Sequence, residues 1–246
     1  MARPDDGGAA PPRYPELQAH YDAVYDRLAA GRRGRAAGPL LDVGSGDGAA
    51  LAATVAGTGI GGVALDRRSR EWRGPTGFAR VTGEASRLPF AAGAFPSVLM
   101  QETWEWLSRP AAVAGELARV SRGRVVIVQS DWRTLWLDSG DPETAQEFTR
   151  LFAGPADPDA TAPAALLAAA GMRVMEDGVD TIRGERLRPG TYAMELLRLL
   201  REFLVVQSAG VRARRFDDWR AELAERAARG AFGFSIERRV VVAEAG

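Results

Sequence analysis

The chain has 246 residues, 46% hydrophobic and 26% charged, long enough to bury a core unaided and too apolar for a disordered polymer. It contains no cysteine and a single histidine, which excludes disulfides, cysteine nucleophiles, thiolate sites and His-rich zinc centres, so no metal site is expected. Its 32 acidic residues balance 32 basic ones, all of them arginine; a general field for nucleic acid, a Schiff-base lysine and a P-loop lysine are thereby absent.

Residues 1–13 are mostly Pro, Gly, Ala and Asp, with little to bury, and read as a disordered tail. No signal-peptide pattern and no run of ~20 apolar residues is present, so a cytoplasmic protein without membrane contact is expected. From Tyr14 the spacing of Leu17, Tyr21, Val24, Tyr25 and Leu28 predicts an amphipathic helix to Ala30, the core of an N-terminal lid over 14–36.

Short apolar runs then alternate with helical stretches. Strands are predicted at Leu40–Val43, Gly62–Leu65, Phe78–Thr82, Ser97–Gln101 and Arg124–Gln129, with helices at Ala49–Ala56 and Ala111–Val120. That rhythm predicts an α/β fold, a Rossmann-like doubly wound and mostly parallel sheet with its ligand edge at the strand C-termini. Farther on, helices are expected from Asp141 and Pro142, over Ala162–Ala170, Thr191–Ala209 and Arg214–Arg229, with strands at Met172–Thr181 and Phe232–Ala243. Residues 37–246 therefore read as one domain with helical cap insertions at about 131–160 and 183–230.

The chemistry concentrates in LLDVGSGDG at the first strand-to-helix junction, with Asp42, Gly44, Ser45, Gly46, Asp47 and Gly48. Glycines there permit a tight bend and close approach to a ligand, and the following helix offers free N–H groups; the same turn also serves simply to join a strand to a helix. Asp42 sits at the ligand end of its strand, where a carboxylate is costly without a cationic or donor partner. Asp66 ends the next strand, placed to accept both hydroxyls of a ribose.

These motifs resemble the cofactor site of class I S-adenosylmethionine-dependent methyltransferases, in the small-molecule group that includes ubiquinone and menaquinone methyltransferases. The resemblance continues through GEASRLPF at Gly83–Phe90, ELARV at Glu116–Val120 before the fifth strand, and GAFGFS at Gly230–Ser235. It implies seven strands, the last antiparallel, with S-adenosyl-L-methionine as cofactor and S-adenosyl-L-homocysteine as product. It also implies that Asp42 and the loop Gly44–Gly48 surround the methionine part and ribose, and that Asp66, with Arg67 beside it, holds the ribose. Glu84 and Ala85 would face the adenine, and Gln101 and Glu102 would border the sulfonium. The chain departs from the pattern at Phe95-Pro96 before the fourth strand, in a short Arg67–Gly77 segment and at Arg122-Gly123.

An oxygen or nitrogen acceptor that carries a proton calls for a base and a soft carbanion does not; His20 and Asp131 are the candidates, with Glu102 a further one. Tyr21, Trp104, Trp106 and Trp132 are candidate walls of a substrate chamber, and packing between cap and sheet accounts for them equally. Transfer of a methyl group to a small molecule, plausibly of secondary metabolism, is the expected function. A non-methylating S-adenosylmethionine-binding protein, cyclase-like or a sensor, and an NAD(P)-dependent oxidoreductase are the alternatives. No nucleic-acid partner is expected, because Gln101, Glu102, Thr103 and Trp104 stand where a base-flipping motif would follow the fourth strand; a monomer or homodimer is expected.

Overall fold

The computed structural model describes residues 14–30, 38–68, 71–153, 162–207 and 211–246; the tail expected over 1–13 lies outside them. The strands are β1 (Leu40–Val43), β2 (Gly62–Asp66), β3 (Phe78–Thr82), β4 (Phe95–Gln101), β5 (Ser121–Leu137), β6 (Arg173–Gly184) and β7 (Phe234–Glu244). They form one sheet in the order β3-β2-β1-β4-β5-β7-β6. Strands β1 to β5 are parallel, while β7 runs antiparallel between β5 and β6. This is the doubly wound, mostly parallel sheet with an antiparallel last strand that the sequence predicts.

The helices are α1 (Gln18–Ala30, entered through a 3₁₀ turn at Pro15–Leu17), α2 (Ala49–Thr54), α3 (Pro110–Val120), α4 (Pro142–Ala153), α5 (Pro163–Ala169), α6 (Tyr192–Gln207) and α7 (Val211–Ala228). Proline opens α3 and α5 at their first turn, where its missing N–H has no intrahelical partner to lose. Strand alternation sorts the core. Leu41, Val43, Val125, Ile127, Val241 and Ala243 pack toward α3 and α5. Leu40, Val126, Val128, Val240 and Val242 pack toward α1 and α2. A separate cap cluster joins Phe148 of α4 to Leu196, Leu197 and Leu200 of α6 and to Phe216, Trp219 and Leu223 of α7. The rings of Phe148 and Phe216 meet edge to face at 5.2 Å. Among the described residues no helix is long and apolar enough to cross a membrane.

Two strands outrun their apolar runs. β5 continues past Gln129 to Leu137, because β7 pairs with it beyond a bulge, Trp136 opposite Ser235 and Leu137 opposite Phe234. β6 reaches Gly184, opposite Phe234. Residues 131–137 are therefore strand, and the helical part of that insertion starts at Pro142. On the α1 and α2 face, the pleat gathers polar residues at the C-terminal edge of the parallel strands: Asp66 on β2, Asp42 on β1, Gln101 on β4 and Ser130 on β5. Ser130 lies opposite Arg238 of β7, which in turn lies opposite Asp180 of β6.

Candidate cofactor and acceptor site

The loop between β1 and α2 turns through three left-handed glycines, Gly44 (φ 79°), Gly46 (φ 57°) and Gly48 (φ 81°). At Gly44 the requirement is also steric, since a Cβ there would stand 2.3 Å from Thr103 Oγ1. Thr103 donates to the carbonyls of Gly44 (3.1 Å) and Gln101 (2.9 Å), tying the loop to the end of β4. The Gly44 and Ser45 N–H groups both donate to the Leu65 carbonyl (2.7 and 3.1 Å), which fixes the loop against β2. Around Gly46 the space a Cβ would take is open. Gly48 instead lies beneath the Trp72 ring, brought there by the short segment after β2.

Two carboxylates frame this loop. Asp66 Oδ2 accepts the Gly46 N–H (2.9 Å) and Oδ1 accepts the Arg68 N–H (2.8 Å), so its oxygens are oriented with lone pairs left for further donors. Asp42 is buried, 3% exposed; burial, and then the charge of Asp66, push its carboxyl up to about 7. A buried acid at this basicity is suited to a cationic partner. The donor set thus fits a sulfonium nucleoside that bears an ammonium group and a ribose diol: an acid without a neutralising cation at β1, a diol acceptor at β2, and an open glycine between them. Arg67 is exposed beside Asp66.

The other motif segments lock to one another. Glu116 Oε2 accepts the Leu88 N–H at 2.5 Å, while Arg119 donates to the carbonyls of Phe90 (2.7 Å) and Leu88 (2.9 Å). ELARV on α3 therefore holds LPF in place. That anchors the turn after β3, in which Arg87 N–H donates to the Glu84 carbonyl and Gly83 N–H to the Asp66 carbonyl (both 3.0 Å). Glu84 is exposed at that edge and Ala85 packs on the core beneath it.

At the end of β4, Gln101 is buried and donates Nε2–H to Thr54 Oγ1 (3.2 Å), while its Oε1 is buried with no partner among the described residues. Glu102 is the one non-glycine residue with positive φ among them, at 48°. Its carboxylate accepts from Ser130 N–H (3.2 Å) and Oγ–H (3.1 Å), and lies 3.4 Å from Arg238 Nη2. Arg238 is 4% exposed and donates to the Tyr192 hydroxyl (2.9 Å). Burial opposes its charge, but Tyr192, Glu102 and Tyr21 around it hold it protonated. Sequence reasoning missed Arg238, Tyr192 and Asp180.

His20 on α1 reaches the same cluster. Its Nδ1 lies 2.9 Å from Asp180 Oδ2 and its Nε2 is buried with no partner among the described residues. Burial, and then the Arg238 charge, lower its imidazole to about 4 despite Asp180. Tyr21, beside it, is pushed up to about 12, mainly by burial.

Three expected site residues stand elsewhere. Asp131 follows Ser130, so the pleat turns it to the opposite face of the sheet, where Arg133 binds it at 2.6 Å and lowers its carboxyl; it does not face the Glu102 cluster. Trp104 is buried in the core under α3 rather than in a chamber, and Trp106 is 58% exposed. Trp132 packs against the cap cluster that contains Tyr21.

Residues 41–128 match the family model described as a methyltransferase domain. A search of curated proteins finds no match. Among solved structures, a protein of Anabaena variabilis described as a methyltransferase from an antibiotic biosynthesis pathway is 15% identical, with a TM-score of 0.60 over 92% of this chain and 98% of that one. A protein described as a sarcosine dimethylglycine methyltransferase, from Galdieria sulphuraria, is 14% identical, with a TM-score of 0.55 over 92% and 85% of the two chains. Geranyl diphosphate methyltransferase in complex with S-adenosylmethionine is also 14% identical, at 0.51 over 93% and 85%. The glycine loop, the paired acids and the LPF turn all lie inside the matched segment, and the sheet shares the class I methyltransferase fold of these structures.

Proposed function

We propose that the protein transfers a methyl group from S-adenosylmethionine to a small-molecule acceptor, in the cytoplasm and in secondary metabolism. The observation that carries this reading is the buried Asp42 beside a glycine loop whose Gly46 N–H is held by Asp66. The bound nucleoside supplies an electrophilic methyl group on a sulfonium. Asp42 binds its ammonium end, and Asp66 takes its ribose hydroxyls while Gly46 and Ser45 lie against the chain between them. Glu84 and Ala85 border the adenine. Gln101 and Glu102 face the methyl, and Tyr21 and Trp132 close the acceptor side against water.

His20 is the base candidate: Nδ1–H toward Asp180 leaves Nε2 as the acceptor of a proton. An imidazole near 4 takes a proton effectively only from an acidic acceptor. The likeness to the Anabaena antibiotic-pathway methyltransferase supports the metabolic setting.

Calorimetry with S-adenosylhomocysteine tests the reading. Tight binding is expected, weakened about ten- to a hundredfold by Asp66→Ala through loss of hydrogen bonds to a charged acceptor. Heat with NAD but none with the nucleoside would sink it, as would an Asp66→Ala titration identical to the parent's.

A further inference from the structure

Arg238 is a cation withdrawn from water at the acceptor end of the site, one strand beyond β5 and two beyond β4. At ~4.8 Å per strand its backbone stands about 10 Å from that of β4, and its side chain reaches back to 3.4 Å from Glu102, so its charge lies at the end of β4. Its donors are incompletely used. Nη2 donates to Tyr192 and lies a long 3.4 Å from Glu102, whose oxygens already accept from Ser130, and Nε is buried with no partner among the described residues. An unpaired donor on a buried guanidinium is costly, and the Nε edge is the fork that a carboxylate occupies. Close by, the Nε2 of His20 is likewise buried and unpartnered among them.

A way in also exists. A cleft of about 780 Å³ opens along the GAFGFS segment, lined by Glu16, Trp136, Arg183, Arg186, Gly233 and Phe234 among others. Arg183, Arg186 and Glu185 of this cleft form no ion pair among the described residues, whereas its Asp138 is bound by Arg226 at 2.7 Å. Tyr192 stands between this cleft and Arg238. Its N–H donates to Glu16 (3.4 Å), its ring packs on Phe234 (centroids 6.1 Å apart), and its hydroxyl accepts from Arg238. One side chain thus separates a cleft that carries Arg183, Arg186 and Glu185 from the buried Arg238.

We propose that the acceptor is an organic carboxylate, which enters along the GAFGFS cleft past Tyr192 and is held and methylated with its anion on Arg238. This rests on the methyltransferase reading. One carboxylate oxygen forms the new O–CH3 bond as the C–S bond of the sulfonium breaks, its electron pair leaving on sulfur as a neutral thioether. The anion and the sulfonium are both neutralised, and no proton moves. A base is therefore unnecessary, and a neutral His20 leaves the Arg238 charge undiluted for the acceptor.

The test is calorimetry on the full chain saturated with S-adenosylhomocysteine, using the isosteric pairs phenylacetate and phenylacetamide, and indole-3-acetate and indole-3-acetamide. Each carboxylate is expected to bind at least about tenfold tighter than its amide. Arg238→Gln is expected to erase that preference, and Tyr192→Phe, which keeps the ring, to preserve it. Equal affinity for the amide, or no carboxylate binding by a protein that binds S-adenosylhomocysteine, overturns the proposal. Should Arg238→Gln fail to fold, the comparison in the parent protein still decides. Absence of S-adenosylhomocysteine binding strikes the methyltransferase reading instead. Labelled methyl transferred to a carboxylate must also return as methanol on mild alkaline hydrolysis, the behaviour of an ester and not of an ether or amine.

Discussion

Asp42 has no formal cation beside it, and its carboxyl stays protonated up to about 7 in the absence of ligand. A ligand ammonium favours the ionised form, so the affinity for S-adenosylhomocysteine is expected to fall as pH drops below about 7, approaching tenfold per unit, because binding must then expel a proton. Asp42→Asn is expected to bind more weakly and to show a flat pH profile, and titration calorimetry between pH 5.5 and 8.5 distinguishes the two. The paired acids were readable in the sequence, since a strand end followed by a glycine turn fixes where their side chains emerge. Arg238 was not. It is one of two adjacent arginines on a strand, and only the register against Ser130 and Asp180 decides which of them turns inward. Asp131 was misjudged on the same account: Ser130 and Asp131 exchange faces with a single step along the pleat.

Between elements, the ELARV segment acts through the LPF turn rather than on any ligand. Arg119 closes two carbonyls of that turn from the exposed side of α3. Arg119→Met keeps the stem and removes those bonds, and is expected to weaken S-adenosylhomocysteine binding several-fold while lowering Tm by only a few degrees, as measured by calorimetry and thermal denaturation. Gly44→Ala is expected to be far harsher, because the residue is left-handed and its new methyl would collide with Thr103. Circular dichroism should show a loss of stability of about 1–3 kcal/mol from the backbone strain alone, with the collision adding to it. The order of strands and helices was legible because short buried β-branched runs and glycine stops are local signals. The lengths of β5 and β6 were not, since polar residues such as Asp131 and Arg183 are held in strand by pairing with β7, a partner about a hundred residues away from β5.

For the molecule as a whole, two buried groups pull its stability in opposite directions over the same pH range. Asp42 binds a proton more tightly folded than unfolded, so between its ordinary 3.8 and about 7 it makes stability fall as pH rises. His20 is lowered from 6.5 to about 4, so over that interval it makes stability rise with pH and be lost on acidification. The slopes offset each other. Denaturant melts from pH 4 to 6.5 are expected to show Asp42→Asn gaining stability with pH more steeply than the parent, and His20→Asn losing it; parallel curves for all three would refute both assignments.

β7, finally, follows β6 in the sequence yet lies between β5 and β6 in the sheet. During synthesis β6 has no neighbour to pair with until that strand leaves the ribosome. The pocket around Arg238 consequently assembles only after β7 has been made. A nascent chain halted before β7 would present the glycine-loop half of the sheet without the Arg238 pocket, which β7 itself carries.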